Sequence, residues 1–564
     1  MPILPQPLPF GAYAPDLSDI NTSVTSSILN VLPRADGYRP VPDYAALSAA
    51  LPGPCRGLFF ARSAGILSLF GATATRLYRL DNTTLEWNDV SQGSSAYASV
   101  ANDAQWQFVQ FNDLVIAVQA NVAPQAFNTV SDTEFSDLSA DAPNAAYVSV
   151  VNRFLVLSGL LDDPYQVQWS ALNDVTNWTT LEADAQVLPD GGTVRGVVGG
   201  EFGIIIQDLA IRRMIFQPGS DVVFQIDRIS QDTGSHVPYS IVNAGERVFF
   251  ISSRGFMMTD GAGQLTPIGK ERVDRTFLST YDSNNLQLVI GASDPAAHLV
   301  MWAYKSADGG IDGEFDRILA YDWALNKWAP IAVSGQYLTP IAQPGATLES
   351  LDSLAPGTLD VTGAVDNGGG LVRISVADTS SLVDNDYYTI SDVGGVTGAD
   401  GTFQIDIIDS TDFDLLGSTF GGTYTSGGIV GGSIDAMTTS FDNFAVSALA
   451  QIGMASTDNT VGFLNGDNLE ATIETSEQVD IGYRTLLNGL IPLCDAEGAM
   501  ISVAMRDNLI TAATYGDETA ANDDGYYPLL EEGRYLRAKL RVPAAVIWSY
   551  ATGIIPDSRR AGML

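Results

Sequence analysis

One pattern in the sequence has the spacing of a catalytic motif. Residues 53–57, GPCRG, match Gly-x-Cys-x-Gly, a cysteine form of the nucleophile elbow of acyl-transfer enzymes. That elbow requires a strand that runs directly into a helix. Here Pro54 precedes Cys55, and the residues after Gly57 form an apolar, β-like run. The pattern therefore predicts a buried or turn cysteine, and we assign no catalytic residue.

The histidines and glycines restrict the chemistry further. The chain has two histidines, His236 and His298, and neither belongs to an HExxH or a Cys₂His₂ zinc pattern. Lys270 follows a glycine, but Glu271 stands where a phosphate-binding loop needs serine or threonine. We therefore expect no cofactor, no metal site and no enzymatic activity.

Carboxylates gather in two predicted turns, and calcium favours such loops. The first turn holds Asp409, Asp412 and Asp414, and the second holds Asp308, Asp312, Glu314 and Asp316. Neither turn has the EF-hand spacing, so we expect solvated turn acids. Residues 173–178, NDVTNW, resemble a degenerate sialidase-type Asp box, which is a structural turn of propeller blades. Because the chain has 66 acidic residues, no glycosidase-type carboxylate pair can be singled out.

A basic strand face is the most unusual feature of so acidic a chain. Residues 535–542 alternate between apolar and basic side chains, which predicts a strand with one buried face. The basic set comprises Arg534, Arg537, Lys539 and Arg541. We regard these four residues as candidates for a subunit interface that meets acids of a neighbouring subunit. The alternative is a solvated strand face, or a sheet edge protected by charge.

Composition limits the classes of function. The 564 residues include 66 acidic and 28 basic side chains, so the net charge is −38. Such a chain repels phosphate and is not expected to wrap nucleic acid. Two cysteines do not make a disulfide framework. The first residues, MPILPQPLPFGAYAP, lack the basic and apolar regions of a signal peptide, and no apolar run is long enough to span a bilayer.

The patterning predicts an all-β fold. Short alternating segments are separated by turns rich in glycine and proline, of which the chain has 54 and 26. Strand, polar turn and tryptophan recur irregularly, ending at Trp87, Trp178 and Trp328. This favours an irregular β-propeller, with two β-sandwiches as the alternative. Residues 43–51 are the best candidate for a short helix, with Asp43 as its N-cap.

Changes in composition and patterning along the sequence suggest five segments. We predict an N-terminal arm at 1–45, a propeller-like body at 46–340 and a connector at 341–356. Residues 357–435 contain 12 aspartates, no glutamate and one basic residue, Arg373. We interpret them as an inserted small β-barrel or sandwich module. A C-terminal β region at 436–564 then completes the body.

Several stretches resemble phage tail proteins of the nozzle or tail-hub type, the tail tubular protein B-like family. They are 30–33 (NVLP), 37–40 (GYRP), 74–80 (ATRLYRL), 106–117 (WQFVQFNDLVIA), 167–178 (VQWSALNDVTNW) and 267–274 (PIGKERVD). The insert is similar to the small phage β module named after the FCCH region of ubiquitin-activating enzymes, and that name implies no ubiquitin chemistry. Its matching stretches are 370–374 (GLVRI), 394–402 (GGVTGADGT) and 424–428 (YTSGG).

The resemblance implies a structural virion protein. Members of this family form a ring, typically a homohexamer, below the tail adaptor, and the ring continues and gates the DNA ejection channel. The expected partners are further copies of the chain, the tail adaptor and tail fibres, while DNA passes through without specific binding. The expected location is the tail of the virion, after synthesis in the host cytoplasm. The insert is absent from a minimal nozzle, so its role stays open.

Two other classes of function compete with the nozzle. A receptor-binding adhesin would bind a host surface, with the 357–435 module as one candidate contact. A propeller-type enzyme acting on glycans would need an acid-lined pocket.

Overall fold

The computed structural model of the protein consists mainly of short β-strands. It describes residues 7–63, 65–82, 84–294, 297–342, 359–380, 382–431, 450–480 and 482–563. Within these ranges, residues 7–80, 86–342 and 450–563 belong to one compact unit, and residues 81–85 and 359–431 belong to a second. Nearly all regular elements are strands, which confirms the predicted all-β class. Within the described ranges, no helix is long and apolar enough to cross a membrane.

The first unit contains seven four-stranded antiparallel sheets, counted over the described residues, that follow one another along the chain. We call them blades 1 to 7. Blade 1 comprises Gly57–Ser63, Ile66–Ala72, Leu77–Leu80 and Trp87–Asp89. Blade 2 comprises Gln107–Phe111, Leu114–Gln119, Val122–Asn128 and Ser136–Asp137. Blade 3 comprises Ala145–Val151, Phe154–Leu160, Gln166–Trp169 and Asp184–Val187.

The remaining blades have the same up-and-down order, except for blade 7. Blade 4 comprises Val194–Val198, Gly203–Gln207, Ile211–Phe216 and Phe224–Ser230. Blade 5 comprises Val242–Ala244, Arg247–Ser252, Gly255–Thr259 and Leu265–Pro267. Blade 6 comprises Ile290–Asp294, Leu299–Tyr304, Arg317–Asp322 and Lys327–Ile331. Blade 7 comprises Tyr337–Ile341, Gln451–Ala455, Val461–Asn468 and Pro42–Ala46.

The blades close into a ring. The first strand of blade 7, Tyr337–Ile341, lies beside the first strand of blade 1, Gly57–Ser63. Separate apolar layers fill the spaces between successive blades, as where Ile206 of blade 4 shares a core with Phe250 of blade 5. This arrangement is propeller-like, as the alternation and turns predict, rather than a pair of sandwiches. The ring extends beyond the body predicted at 46–340, because blade 7 also contains Pro42–Ala46, Gln451–Ala455 and Val461–Asn468.

The helix predicted at 43–51 is wrong. Pro42–Ala46 is instead the outermost strand of blade 7 and pairs with Val461–Asn468, where Tyr44 stands opposite Leu464. Asp43 caps nothing, and its carboxylate accepts the N–H of the next residue at 2.7 Å. Pairing with a strand from the far end of the chain overrides a weak local helix preference.

Two six-stranded sheets form a sandwich in the same unit. The first sheet contains Tyr527–Gly533, Tyr483–Cys494, Ala551–Met563, Tyr38–Pro40, Val31–Pro33 and Leu8–Pro9. The second contains Ile28–Leu29, Ala471–Glu474, Tyr535–Val542, Met500–Arg506, Thr519–Ala520 and Gln478–Val479. One apolar core lies between them and includes Tyr38 and Leu490 from the first sheet and Ile501 and Leu540 from the second. The N-terminal and C-terminal segments therefore fold together.

The few helical elements are short. The single α-helix of the described ranges is α1, Asp274–Thr280, and 3₁₀ turns occur at Gln92–Ser94, Pro189–Gly191, Pro238–Ser240 and Leu286–Leu288. Asp16 of the N-terminal segment caps α1, because its carboxylate accepts the N–H groups of Arg275 and Thr276 at 2.7 and 2.9 Å. A two-stranded parallel pair, Ala12–Tyr13 with Val24–Thr25, completes this unit.

The second unit is a closed barrel. Its six strands in ring order are Leu359–Asp366, Val372–Val376, Asp412–Leu416, Gly401–Ile407, Tyr387–Ser391 and Ile429–Gly431. A hairpin-like pair, Gly394–Thr397 with Gly421–Ser426, accompanies the barrel. The barrel has its own core, which includes Ile374, Tyr388, Ile405 and Phe413. It falls within the predicted 357–435 module. The predicted connector, 341–356, lies outside the described residues from 343 onward.

Candidate functional site

The four basic candidates lie on or beside Tyr535–Val542, a central strand of the second sandwich sheet. The apolar face of this strand is buried, with Leu536, Ala538 and Leu540 all in the sandwich core. Because side chains alternate along a strand, Arg537 and Lys539 project from the opposite face. Glu474 stands directly across from Lys539 in the neighbouring strand Ala471–Glu474.

Arg537 is more deeply buried than Lys539 and Arg541. Its guanidinium lies 2.7 Å from the Asp19 carboxylate and 3.4 Å from that of Glu474. It also donates a hydrogen bond of 3.0 Å to the Ser26 hydroxyl. The side chains of Arg537, Asp19 and Glu474 are only 13%, 11% and 9% exposed. Asp19 and Ser26 belong to the N-terminal segment, so Arg537 fastens that segment to the sheet.

Lys539 and Arg541 also find partners within the chain. The Lys539 ammonium lies 3.4 Å from Glu474 and 4.0 Å from the centre of the Tyr515 ring. Arg541 donates two parallel hydrogen bonds to Glu518, at 2.7 and 2.6 Å, and one to Glu470 at 3.0 Å. These contacts raise the pKa of Arg541 and lower the pKa of Glu518.

Arg534 differs from the other three because it forms no ion pair among the described residues. Its guanidinium stacks on the neighbouring Tyr535 ring at 5.7 Å, and its buried Nε has no hydrogen-bond partner among the described residues. For Arg537, Lys539 and Arg541, the acids that the interface prediction assigns to a neighbouring subunit are present in the same chain. The subunit contact at this face stays a prediction.

The structure places Cys55 away from any nucleophile elbow. Cys55 precedes the strand Gly57–Ser63, no helix follows it, and it is 1% exposed. Its thiol donates to the Gly57 carbonyl at 3.5 Å, and burial raises its pKa to about 12. Cys55 is therefore an inert core residue, as the sequence predicts. Cys55 and Cys494 are both free thiols.

In each of the two acidic turns, a carboxylate forms an ion pair with a basic side chain of the same chain. Asp414 forms a bidentate ion pair with Arg373 at 2.6 and 3.0 Å, and this contact lowers the pKa of Asp414. Asp312 pairs with Lys305 at 2.6 Å. In the part of the chain that the structure describes, no cluster of histidine, cysteine and carboxylate side chains is arranged to hold a metal. The Asp-box-like turn is held by Asp174, which accepts from the Thr176 hydroxyl at 2.7 Å.

A cleft between blades 5 and 6 was not anticipated as a site. One cavity of about 480 Å³ is lined from blade 5 and the segment after it by Arg247, Met258, Thr266, Pro267, Ile268, Lys270, Glu271 and Arg272, and from blade 6 by Tyr321, Trp323 and Asn326. A second cavity of about 640 Å³ shares Arg247 and Trp323 and adds His298 and Glu246. We call the two adjoining cavities the blade 5–6 cleft.

A rigid turn presents Trp323 to this cleft. The Asp322 carboxylate accepts the N–H groups of Ala324 and Leu325 at 3.0 and 2.9 Å, and this fixes the turn that carries the indole. The indole ring packs against Phe249 at 5.7 Å and against His298 at 5.5 Å between ring centres. Trp323 is therefore held in place while it lines both cavities.

The first cavity of the cleft is basic in an acidic protein, while the second cavity adds the carboxylate of Glu246. Three cations, Arg247, Lys270 and Arg272, and one carboxylate, Glu271, line the first cavity. Arg272 donates to the carbonyl and side-chain oxygens of Asn326 at 2.6 and 3.0 Å. Burial raises the pKa of the Tyr321 hydroxyl, while the nearby charges of Arg272 and Arg247 oppose that shift.

One segment that lines this cleft was already noticed in the sequence. Residues 267–274 stood out for their resemblance to a family and for a glycine-lysine pair that fails as a phosphate-binding loop, and they supply Lys270 and Arg272. Trp323 lies about fifty residues further along the chain, so no local spacing relates it to these cations. Only the packing of blade 5 against blade 6 brings the two groups together.

The comparisons with known proteins place the chain in no family. No family model matches the sequence, and no curated protein matches it. The architecture itself defines the class: an all-β protein with a seven-bladed propeller-like ring, a terminal sandwich and an inserted barrel.

Solved structures show distant likeness only. Two structures of the extracellular domain of BT4673 from B. thetaiotaomicron match with TM-scores of 0.35 and 0.31 at 9% and 8% identity. They cover 59% and 65% of this chain, and the chain spans less than half of each, 44% and 48%. The computationally designed Ika8 protein matches with a TM-score of 0.30 at 9% identity, over 66% of this chain and 95% of Ika8. Likenesses at this level carry no argument about function.

Proposed function

We propose that the chain is a structural subunit of a phage tail, of the nozzle or hub type. Copies of it form a ring, with six as the expected number, around the channel through which DNA leaves the particle. The ring joins the tail adaptor and tail fibres and gates DNA exit. This proposal extends the sequence resemblance with the observations that follow.

The interleaving of the two ends of the chain is the observation that carries the proposal. Pro42–Ala46 closes blade 7 against Val461–Asn468, and Leu8–Pro9 pairs with Ala551–Met563 in the sandwich. Neither end can be pulled away without breaking antiparallel pairing and exposing buried apolar surface. A ring that gates DNA exit has to keep its shape while DNA passes, and this construction suits such a role.

The charge distribution supports the same function. A net charge of −38 gives phosphate groups few countercharges to bind. The ion pairs of Arg537 and Arg541 reduce the number of free cations further. DNA that passes such a surface meets weak repulsion and does not stall.

Copy number in the particle tests this function. Quantitative mass spectrometry of purified phage particles, with isotope-labelled peptides of this chain, gives the number of copies per genome. We expect six copies per particle. A chain absent from washed particles, or present in substoichiometric amounts, would contradict the structural role.

A receptor-binding tail protein is the second candidate, and the blade 5–6 cleft favours it. A cleft with a fixed indole and several cations is suited to hold a surface ligand. In that case the isolated chain should bind host cells, and the binding should persist when residues 343–449 are removed.

A further inference from the structure

We propose that the blade 5–6 cleft binds an acidic saccharide, with the carboxylate of the sugar at Lys270 and Arg272 and a sugar ring packed on Trp323. The inference does not depend on a tail location, because it concerns the isolated chain. It rests on the charges, on the aromatic side chain and on the shape of the cleft.

The cations of the first cavity lie in a chain in which carboxylates are abundant. Acids greatly outnumber bases, and elsewhere in the ring several arginines are paired, as in Arg195 with Asp208 and Arg254 with Asp232. Within the described residues, Arg247 and Lys270 form no ion pair although both line the same cavity. Cations left unpaired together, in a chain so rich in carboxylates, indicate a place for an external anion.

The hydrogen-bonding groups suit a carboxylate on a sugar. Arg272 uses one terminal nitrogen, Nη1, for Asn326, and among the described residues its other guanidinium N–H groups have no partner. The hydroxyl of Thr266 and the amide of Asn326 line the same cavity, and such groups bind sugar hydroxyls.

The aromatic group and the shape favour a saccharide over a small inorganic anion. Trp323 is half-buried and is braced by Phe249, so a flat apolar surface faces the cleft at little cost in side-chain entropy. Two cavities of about 480 and 640 Å³ meet at Arg247 and Trp323. Each of these volumes is in the range of ligand sites rather than of single-ion sites.

A nucleic acid is the competing ligand, since indoles also stack on bases. The overall charge of −38 disfavours a phosphate chain that extends beyond the cleft. A short acidic saccharide places its charge only where the cations are.

The test is calorimetric titration of the full chain at low salt with 3′-sialyllactose and with tetragalacturonate. Lactose and maltotetraose are the matched neutral saccharides, and a ten-nucleotide thymidine single strand represents nucleic acid. We expect saturable binding of at least one acidic saccharide, at least tenfold tighter than its neutral counterpart and weakened by added salt. Failure of both acidic saccharides to bind would overturn the proposal, as would equal binding of the neutral ones or tighter binding of the oligonucleotide.

Variants connect binding to the cleft. Lys270→Gln removes an exposed, unpaired cation and should leave the fold intact while it weakens binding at least fivefold. Trp323→Phe should weaken it as well. Arg317→Gln is the matched control, because Arg317 is an exposed arginine of blade 6 that does not line the cleft. Unchanged binding in Lys270→Gln, or an equal loss in Arg317→Gln, would contradict the assignment.

Discussion

Ile341 and Gln451 are antiparallel partners in blade 7, although the whole barrel module lies between them in the sequence. The neighbouring pair, Pro340 and Ile452, continues the same register. The chain thus leaves and re-enters the blade at adjacent positions, as in a hairpin whose loop has been replaced by a domain.

We predict that the barrel module can be removed without loss of the ring. Replacement of residues 343–449 by Asn-Gly leaves a four-residue turn, Ala342-Asn-Gly-Ala450, between Tyr337–Ile341 and Gln451–Ala455. The shortened protein should remain folded, with a melting temperature within about 3 °C of the parent, because the module has its own core. Calorimetry measures this, with 357–435 alone as the companion sample. Collapse of the ring in the shortened protein would show that the blade depends on the module.

A buried carboxyl should make stability fall as pH rises. Burial raises the pKa of Asp274 to about 6, and its Oδ1 accepts the Phe256 N–H at 3.0 Å. The folded state therefore holds this proton between the unfolded pKa near 4 and the folded value. Stability from this group is complete at the acid end and is lost as pH rises through about 6. Glycine at 255 is required here, since a Cβ would lie 2.1 Å from the Asp274 Cγ.

Asp274→Asn tests that coupling. The amide keeps the acceptor without a charge, so the variant should gain about 1–2 kcal/mol over the parent at pH 7.5 and little at pH 4.5. Urea unfolding at the two pH values gives both differences. Asp36→Asn is the control, because that carboxylate is 66% exposed. An identical difference at both pH values would contradict the assignment.

The arginines of the basic strand face should contribute unequally to the free energy of unfolding. Arg537→Gln leaves the buried Asp19 without its cation and Glu474 with Lys539 alone, and it should cost about 3 kcal/mol of unfolding free energy. Arg541→Gln should cost under about 1 kcal/mol, because Glu518 and Glu470 are 38% and 52% exposed. Chemical unfolding of both variants measures the two costs, and similar values would contradict the burial argument.

A test of the predicted subunit contact requires a variant that leaves the buried ion pair of Arg537 and Asp19 intact. Arg541→Glu reverses a more exposed charge on the same face. If the face is an interface, this variant should remain folded and fail to assemble. Normal assembly would end the interface prediction.

The class and the strand patterns were accessible from the sequence. The alternation in Tyr535–Val542 correctly gave the buried face, with Leu540 1% exposed. Strands that follow one another in the sequence also pair, as where Phe250 stands opposite Met257. These features depend on neighbours close in the chain, and there periodicity is informative.

Long-range pairing was not accessible. The helix predicted at 43–51 failed because the partner strand of Tyr44 lies more than four hundred residues away. The acids that meet Arg537 come from 19 and 474, and the blade 5–6 cleft joins Lys270 to Trp323. A single sequence supplies no rule for which strands or blades become neighbours.

Both thiols should resist modification in the folded chain. Burial raises the pKa of Cys55 to about 12 and that of Cys494 to about 11, so little thiolate exists at pH 8. In a Cys494→Ser variant, reaction of Cys55 with Ellman's reagent should be more than about a hundredfold slower than in denaturant. A native rate close to the unfolded rate would mean that Cys55 is accessible.

Location in the particle tests the central claim most directly. Antibodies against the 357–435 module, applied to intact phage particles and viewed by electron microscopy, report where the chain sits. The proposed function predicts label at the distal tip of a short tail. Label confined to the neck, or particles that lack the chain by mass spectrometry, would contradict it.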